Sequence, residues 1–294
     1  MTAYPVDMTA HPQVEPFLDL PTNTISYIVS DPATGACAIV DPVMDFDYDS
    51  GRTSFGGADK LIAAVRERGL TVEWIIETHV HADHLTAAPY IREQLGGRIA
   101  IGENVLTVQK TFAGIFNEGP DFPCDGSQFD RLLSDGDTYT VGSIPAVAMY
   151  TPGHTPACMT HFIGDAGFVG DTLFMPDAGS ARADFPGGDA GTLYDSMQKI
   201  LALPDDMRLF MCHDYGPNGR EIAWETTVGT ERAENIHVGE GISRDAFIAM
   251  RTARDATLAV PHLILPSLQV NMRAGALPTD ADGQPMLKLP LNKL

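Results

Sequence analysis

The segment 75-IIETHVHADHLTAAPYI-91 places three histidines and one aspartate within six positions, at the end of an apolar run. The run "TVEWIIET" is typical of a buried strand, and the residues after the cluster have helical spacing that ends at Gly96 and Gly97. His79 and His81 are two residues apart, so in an extended chain both side chains project to the same side. Four potential ligands on a strand-to-helix loop predict a metal site.

The composition limits the classes of protein that this chain can be. With 294 residues, 44% of them hydrophobic, the chain can bury one large core or two small ones. Its formal net charge of -20 argues against nucleic acid or an anionic membrane as a partner. The four cysteines form no CxxC pair, which argues against a structural zinc knuckle and a disulfide framework. No segment resembles a signal peptide or a membrane span, so we predict a cytoplasmic protein.

The order of predicted elements favours an α/β protein. Three strand-like runs, "VEPFLDL", "TISYIVS" and "GACAIVDPV", come first, and strands and helices then alternate. Helices are predicted at 58–70, 85–97, 103–114, 190–204 and 243–256. Later strands are predicted at 145–150, 158–163 and 166–170, and 117–137 is predicted to be irregular. Five prolines after Leu258 exclude a long helix there. We therefore predict one catalytic domain, 1–257, with an extension, 258–294, packed on it.

Three later segments supply further potential ligands. His154 lies in "YTPGHTPAC", Asp171 in "GFVGDTLF" and His213 in "LFMCHDYG". Each follows a predicted strand, and α/β sheets gather their ligands at the carboxyl ends of strands. A single loop histidine is more often solvated than bound to a metal. The agreement in position nevertheless predicts that these three residues join the histidine cluster in one pocket.

The pattern THxHxDH, a PGHT turn, a GD pair and a late histidine is similar to the metallo-β-lactamase superfamily. This resemblance implies an αββα sandwich, classed as α/β or in some schemes α+β, with the metal between the edges of the sheets. "THVHADHLTAA", "GDTLF", "GSARADFPGGDAGTLYDSM" and "HDYG" together resemble the glutathione-persulfide dioxygenases, also called sulfur dioxygenases. The resemblance extends over roughly residues 15–275, and "LPSLQVNMRAG" is its last stretch.

The dioxygenase resemblance implies one Fe(II) per chain, bound by His79, His154 and Asp171. Two imidazoles and one carboxylate suit Fe(II) in oxygen chemistry and leave positions open for glutathione persulfide and O₂. The products would be sulfite and glutathione. Four further donors would either support the iron ligands or hold a second metal: His81, Asp83, His84 and His213.

A second function remains open from the sequence. The same seven side chains would serve a glutathione thioester hydrolase resembling glyoxalase II, in which two metals, for example Zn(II), activate a hydroxide. Against it, glyoxalase II carries a helical C-terminal substrate domain, and "GSARADF" fits the dioxygenases better. A binder or sensor without catalysis fits poorly with a complete donor set.

The resemblance also implies residues that contact the substrate. Arg182 and Tyr215 match positions that meet glutathione in the family, although Arg182 could instead form a salt bridge with Asp184. The family makes a homodimer plausible. We predict that Cys158 and Cys212 are buried thiols that point away from the ligands. The remaining histidines are predicted to be structural or exposed: His11, His161, His237 and His262.

Overall fold

Two six-stranded sheets lie face to face in the computed structural model, which describes residues 4–293. The first sheet has the spatial order β1 (Gln13–Asp19), β2 (Thr24–Ser30), β3 (Ala36–Val40), β6 (Thr71–Ile76), β8 (Arg98–Gly102) and β9 (Arg131–Leu133). The second has the order β10 (Thr138–Val141), β11 (Ile144–Tyr150), β12 (Met159–Ile163), β13 (Ala166–Phe168), β14 (Arg208–Phe210) and β15 (Glu225–Thr227). A small third sheet has the order β5 (Arg52–Ser54), β4 (Val43–Asp47) and β7 (Leu85–Thr86).

Helices cover the outer face of each large sheet. The first sheet packs against α1 (Gly56–Glu67), α2 (Ala88–Leu95), α3 (Val105–Ile115) and α7 (Ile264–Asn271). The second packs against α4 (Ala190–Leu201), α5 (Val228–Glu234) and α6 (Arg244–Asp255). A 3-10 turn at Pro217–Gly219 precedes β15. This arrangement confirms the predicted αββα sandwich.

The apolar core explains why the central strands carry continuous hydrophobic runs. In β6, Ile75 contacts the cluster under the helices, whereas Trp74 and Ile76 belong to the cluster between the two sheets. Because side chains alternate across a strand, a strand buried on both faces is apolar at every position. The pairings β3–β6, β6–β8 and β8–β9 are parallel, so the carboxyl ends of these strands lie at one edge.

Most of the predicted elements are present, with shifted ends. The helix predicted at 85–97 begins only at Ala88, because Leu85 and Thr86 pair with β4 as strand β7. The prediction that 117–137 is irregular is wrong for Arg131–Leu133, which forms β9 at the edge of the first sheet. Edge strands of three residues carry too short a pattern to recognise from sequence.

The end of the chain contains a helix that the sequence analysis did not predict. The eight-residue helix α7 tolerates Pro266 because it lies in the first turn, where a backbone N–H needs no partner within the helix. Leu268, Val270 and Met272 are fully buried in the cluster that also contains α1 and α2. The division into domain and extension stays a prediction. Within residues 4–293, no helix combines the length and the apolar character needed to cross a membrane.

Candidate active site

The predicted iron ligands lie together at the carboxyl ends of three strands. His79 follows β6, His154 follows β11 and Asp171 follows β13. Asp171 Oδ2 lies 3.9 Å from His79 Nε2 and 3.5 Å from His154 Nε2. One donor atom from each of the three buried residues lies within 4.8 Å of the others. This separation is the size of a shared coordination sphere.

The other predicted donors lie directly beside this trio. His213 Nε2 is 3.5 Å from Asp171 Oδ1 and 3.2 Å from Asp83 Oδ2. The His79 and His81 ring centroids are 4.0 Å apart, and those of His81 and His84 are 4.1 Å apart. Asp171 therefore lies between two groups of donors. Every predicted ligand belongs to one cluster.

Hydrogen bonds fix the orientation of each imidazole through one of its nitrogens. His154 Nδ1 donates to the Arg182 carbonyl at 2.8 Å, and His213 Nδ1 donates to the Asn23 carbonyl at 3.1 Å. Thr78 Oγ1 donates to Asp41 and therefore accepts from His79 Nδ1 at 3.0 Å. These bonds set the tautomer and leave the second ring nitrogen as a free lone pair, as in metal-binding histidines.

Six buried atoms that face the centre have no hydrogen-bond partner among the described residues. They are His79 Nε2, His81 Nδ1, Asp83 Oδ2, His84 Nε2, Asp171 Oδ1 and His213 Nε2. A buried polar atom without a partner costs roughly 1–3 kcal/mol. A bound cation that accepts lone pairs from these atoms would explain why six of them lie together without partners. The donor set therefore fits a metal, and its size extends beyond one coordination sphere.

Burial and mutual attraction set the ionisation of these groups. Burial lowers the pKa of His79 well below its usual value, and the neighbouring imidazoles add to this effect, so the ring is a neutral base. Burial opposes ionisation of Asp83, but the charge of His213 and the interaction with His84, whose Nδ1 lies 3.7 Å from Asp83 Oδ2, hold its pKa well below the usual range. A neutral imidazole and an ionised carboxylate are the forms that bind metals.

Two buried carboxylates under the cluster were missed by the sequence analysis. Asp41, 2% exposed, follows β3 and accepts hydrogen bonds from Thr78 N and Thr78 Oγ1, both at 2.8 Å, and from His81 Nε2 at 2.9 Å. Glu77 Oε2 lies 3.5 Å from His81 Nε2. The charge of Asp41 raises the pKa of His81 well above its usual value although burial opposes it. A cation, either a proton or a metal, is thus favoured at His81 Nδ1.

The cluster opens into a cavity of about 1400 Å³, and both predicted substrate residues line it. Tyr215 is 57% exposed, and its hydroxyl has no hydrogen-bond partner in the part of the chain that the structure describes. Arg182 instead forms a bidentate pair with Asp184, at 2.5 and 2.7 Å, and donates to the Ala259 carbonyl. Arg182 therefore forms the salt bridge that was the alternative prediction for it. Two of its five N–H groups remain free to bind a ligand.

The mouth of the cavity contains residues that the sequence analysis did not predict. The β4–β5 hairpin forms one side and the segment 258–263 forms another, with the Tyr48 and His262 rings 4.7 Å apart between them. Arg52 and Arg254 line the cavity, are exposed, and form no ion pair with any residue of 4–293. Two free guanidinium groups at the mouth can bind carboxylates of an anionic ligand.

The predictions for the two cysteines have different outcomes. Cys158 is buried and its Sγ contacts Thr155 Oγ1 at 3.1 Å, while burial raises the pKa of the thiol to about 12. The prediction that Cys212 points away is wrong, because its Sγ lies 3.6 Å from Asp41 Oδ2 and within 4.8 Å of donor atoms of Asp171 and His213. Burial and the charge of Asp41 raise its pKa well above the usual value. It is therefore a neutral thiol, not a nucleophile.

The four remaining histidines lie outside the donor cluster. His11 pairs with Asp165 at 2.7 Å, and His161 is buried with its Nδ1 3.0 Å from Tyr139 Oη. His237 Nδ1 accepts from Ser180 N at 3.0 Å, in the wall of the cavity. His262 is exposed at the cavity mouth.

Comparison with known proteins defines the family. A model described as the metallo-beta-lactamase superfamily matches residues 20–213. The chain belongs to this superfamily. It is also 56% identical over 292 residues to a probable metallo-hydrolase of Burkholderia pseudomallei, which covers 96% of this chain and 99% of that protein. A metal-binding enzyme superfamily agrees with the clustered histidine and aspartate donors.

Other relatives are named for two different enzymatic reactions. The chain is 49% identical to glyoxylase B2 of Dictyostelium discoideum, over 98% of this chain and 99% of that protein. It is 28% identical to the human mitochondrial persulfide dioxygenase ETHE1, over 86% of this chain and 84% of that protein. The solved structure of ETHE1 from Myxococcus xanthus has a TM-score of 0.71 and 27% identity, and covers 90% of this chain and 100% of that one. The chain spans 65% of the length of a beta-lactamase hydrolase-like protein of Xylella fastidiosa, with 51% identity.

Proposed function

We propose that this protein is a non-haem Fe(II) persulfide dioxygenase that oxidises glutathione persulfide with O₂ to sulfite and glutathione. The observation that carries the proposal is the two-histidine, one-carboxylate set at the cavity floor, formed by His79 Nε2, His154 Nε2 and Asp171. Such a set leaves several coordination positions open, as oxygen chemistry at Fe(II) requires. The whole-chain similarity to ETHE1 supports the same assignment.

The reaction balances with one water molecule. Glutathione persulfide, O₂ and water give glutathione, sulfite and two protons, and the terminal sulfur loses four electrons that reduce O₂. Iron at this site would supply a shared binding position for the persulfide sulfur and O₂ and the redox chemistry between them.

The protein's own contribution is binding, orientation and exclusion of water. The Arg182 carbonyl and Thr78 Oγ1 hold His154 and His79 with their Nε2 atoms close to Asp171. The free hydroxyl of Tyr215 can donate to the peptide part of glutathione, and the open guanidinium groups of Arg52 and Arg254 can bind its carboxylates.

A second candidate is a dinuclear glutathione thioester hydrolase that binds Zn(II) or another metal pair. One specific observation favours it: buried atoms of Asp83, His84 and His213 also lack partners among residues 4–293, beside the first trio. The names metallo-hydrolase and glyoxylase B2 of the more similar relatives point the same way. The supporting role of these residues around a single iron stays a prediction.

Metal content and two activities separate the candidates. Protein reconstituted without oxygen is loaded with Fe(II) or Zn(II), its metal-to-chain ratio is measured, and O₂ uptake with glutathione persulfide is compared with hydrolysis of a glutathione thioester. One iron per chain with O₂ uptake supports the dioxygenase. Two zinc ions per chain with thioesterase activity and no O₂ uptake would refute it.

A pair of variants tests the ligand assignment. Asp171→Ala should abolish O₂ uptake, because it removes the only carboxylate of the trio. Asp165→Ala is the matched control, since Asp165 is 8% exposed and Asp171 7% exposed, and the two lie at opposite ends of β13. Unchanged activity in Asp171→Ala would contradict the assignment.

A further inference from the structure

The loop that carries the metal-binding motif lacks ordinary backbone support. Residues 79–84 lie between β6 and β7 and belong to no helix or strand. Within residues 4–293, no backbone–backbone hydrogen bond involves this loop. Unsupported backbone is mobile unless side chains hold it, yet ligand positions in a metal site must be fixed closely.

One side chain supplies the missing support. Asn271, the last residue of α7, donates from Nδ2 to the His81 carbonyl at 2.9 Å and to the His84 carbonyl at 2.8 Å. Its Oδ1 accepts from Thr86 N at 2.9 Å. All hydrogen-bonding groups of the amide except one lone pair are thereby used. In the described part of the chain, the two Nδ2 bonds are the only hydrogen bonds to backbone groups of residues 79–84.

The position of Asn271 in the core makes this support rigid. Asn271 is 5% exposed, and its neighbours Val270 and Met272 are fully buried in the same cluster as Ala82 and Leu85. Because the helix cannot shift without disturbing that cluster, the amide holds the loop at a fixed distance from the first sheet. The loop carries His81, Asp83 and His84 between its bonded carbonyls.

We propose that Asn271 is a positioning residue for the metal centre, and that α7 therefore fixes the motif loop in its ligand geometry. The inference rests on the proposed metal site, but not on which reaction that site performs. Residues that orient the ligands of a metal typically change its affinity on the order of 10- to 100-fold when they are replaced. We expect a loss on the order of tenfold, because Asn271 acts through the loop backbone.

The test uses two variants and a control with the same bonding pattern. Asn271→Asp keeps the volume and the acceptor for Thr86 N but loses both donors, and Asn271→Ala removes all three bonds. Gln109→Ala is the control, since Gln109 is fully buried, donates to Gln128 Oε1 and the Met272 carbonyl, and accepts from Gly126 N. It cross-links the same part of the chain without contacting the motif loop.

Two measurements on the full-length chain distinguish positioning from general stability. Competition with a chromogenic chelator gives the affinity for Zn(II) and, without oxygen, for Fe(II). Hydrogen exchange at residues 79–86 of the metal-depleted protein reports whether the loop is held even if no metal binds. Thermal melts show that each variant folds, and if Asn271→Asp does not fold, Asn271→Ala carries the test.

We expect both Asn271 variants to bind either metal on the order of tenfold more weakly, and Asn271→Ala, which removes the acceptor for Thr86 N, to exchange Thr86 N–H faster. Gln109→Ala should lower the melting temperature but leave the metal affinity within about twofold of the wild type. Unchanged exchange of Thr86 N–H in Asn271→Ala, or an equal loss of affinity in the control, would overturn the proposal. Metal binding that depends on Asn271 without O₂ uptake would instead refute only the dioxygenase function.

Discussion

Replacing Asp41 tests whether the buried carboxylate under the cluster orients the imidazoles of His79 and His81. Asp41 bonds directly to His81 Nε2, and through Thr78 Oγ1 it also supports His79 Nδ1. Asp41→Asn is the suitable change, because Asp41 has φ 48, a left-handed conformation that asparagine also tolerates. The substitution keeps one acceptor oxygen and removes the charge that fixes His81.

The size of the effect follows from these contacts. Asn can keep the two bonds that Asp41 Oδ1 accepts, from Thr78 N and His81 Nε2, but it loses the charge beside His81 and the acceptor for Thr78 Oγ1, at roughly 1–3 kcal/mol each. A loss of about 2–6 kcal/mol lowers the melting temperature by roughly 3–10 °C for a chain of this size. Metal affinity should fall on the order of 10- to 100-fold, since two imidazoles lose their fixed orientation.

Asp31→Asn is the matched control for this prediction. Asp31 is also 2% exposed and accepts four hydrogen bonds, from Ala33 N, Thr34 Oγ1, Ser143 N and Ser143 Oγ, but it precedes β3 whereas Asp41 follows it. Its replacement should cost similar stability and leave the metal affinity unchanged. Thermal melts and chelator competition measure both quantities. If Asp41→Asn binds metal as tightly as Asp31→Asn, the reasoning is refuted.

Two further predictions concern pH and substrate charge. Burial raises the pKa of the Glu231 carboxyl to about 8 in the folded protein, whereas in the unfolded chain this group loses its proton near pH 4.5. The free energy of unfolding therefore falls as the pH rises from 4.5 to 8. Glu231→Gln should therefore stabilise the protein by roughly 2–4 kcal/mol more at pH 8 than at pH 5, and equal urea midpoint shifts at both pH values would contradict this. Arg52→Gln with Arg254→Gln should raise KM for glutathione persulfide about two- to thirtyfold with kcat unchanged, because each exposed pair is worth roughly 0.2–1 kcal/mol. KM for cysteamine persulfide, which has no carboxylate, should not change in this double variant. The control variant Arg244→Gln, whose exposed side chain on α6 pairs with Asp195, should leave KM for glutathione persulfide unchanged. An equal increase in KM for both substrates would argue against carboxylate binding at the mouth.

The sequence identified the clustered donor residues because their spacing is local. In THVHADH the donors are held by a strand end and a tight loop, and His154, Asp171 and His213 each follow an apolar run that is typical of a buried strand. Strand ends gather at one edge of a sheet, so the convergence of these residues could be predicted before any coordinates. The αββα class and the long helices follow from the same periodic patterns.

Tertiary structure alone decided what surrounds the ligands. Asp41 and Asn271 contact the motif across sequence separations of 37 to 190 residues, and no local pattern marks an aspartate or an asparagine as the partner of a distant histidine. The pairing of Arg182 with Asp184 and the approach of Cys212 to Asp41 likewise depend on how loops pack. Side-chain hydrogen bonds between distant segments form only where the folded core brings their backbones together, so the sequence specifies the donors and the fold specifies how they are held.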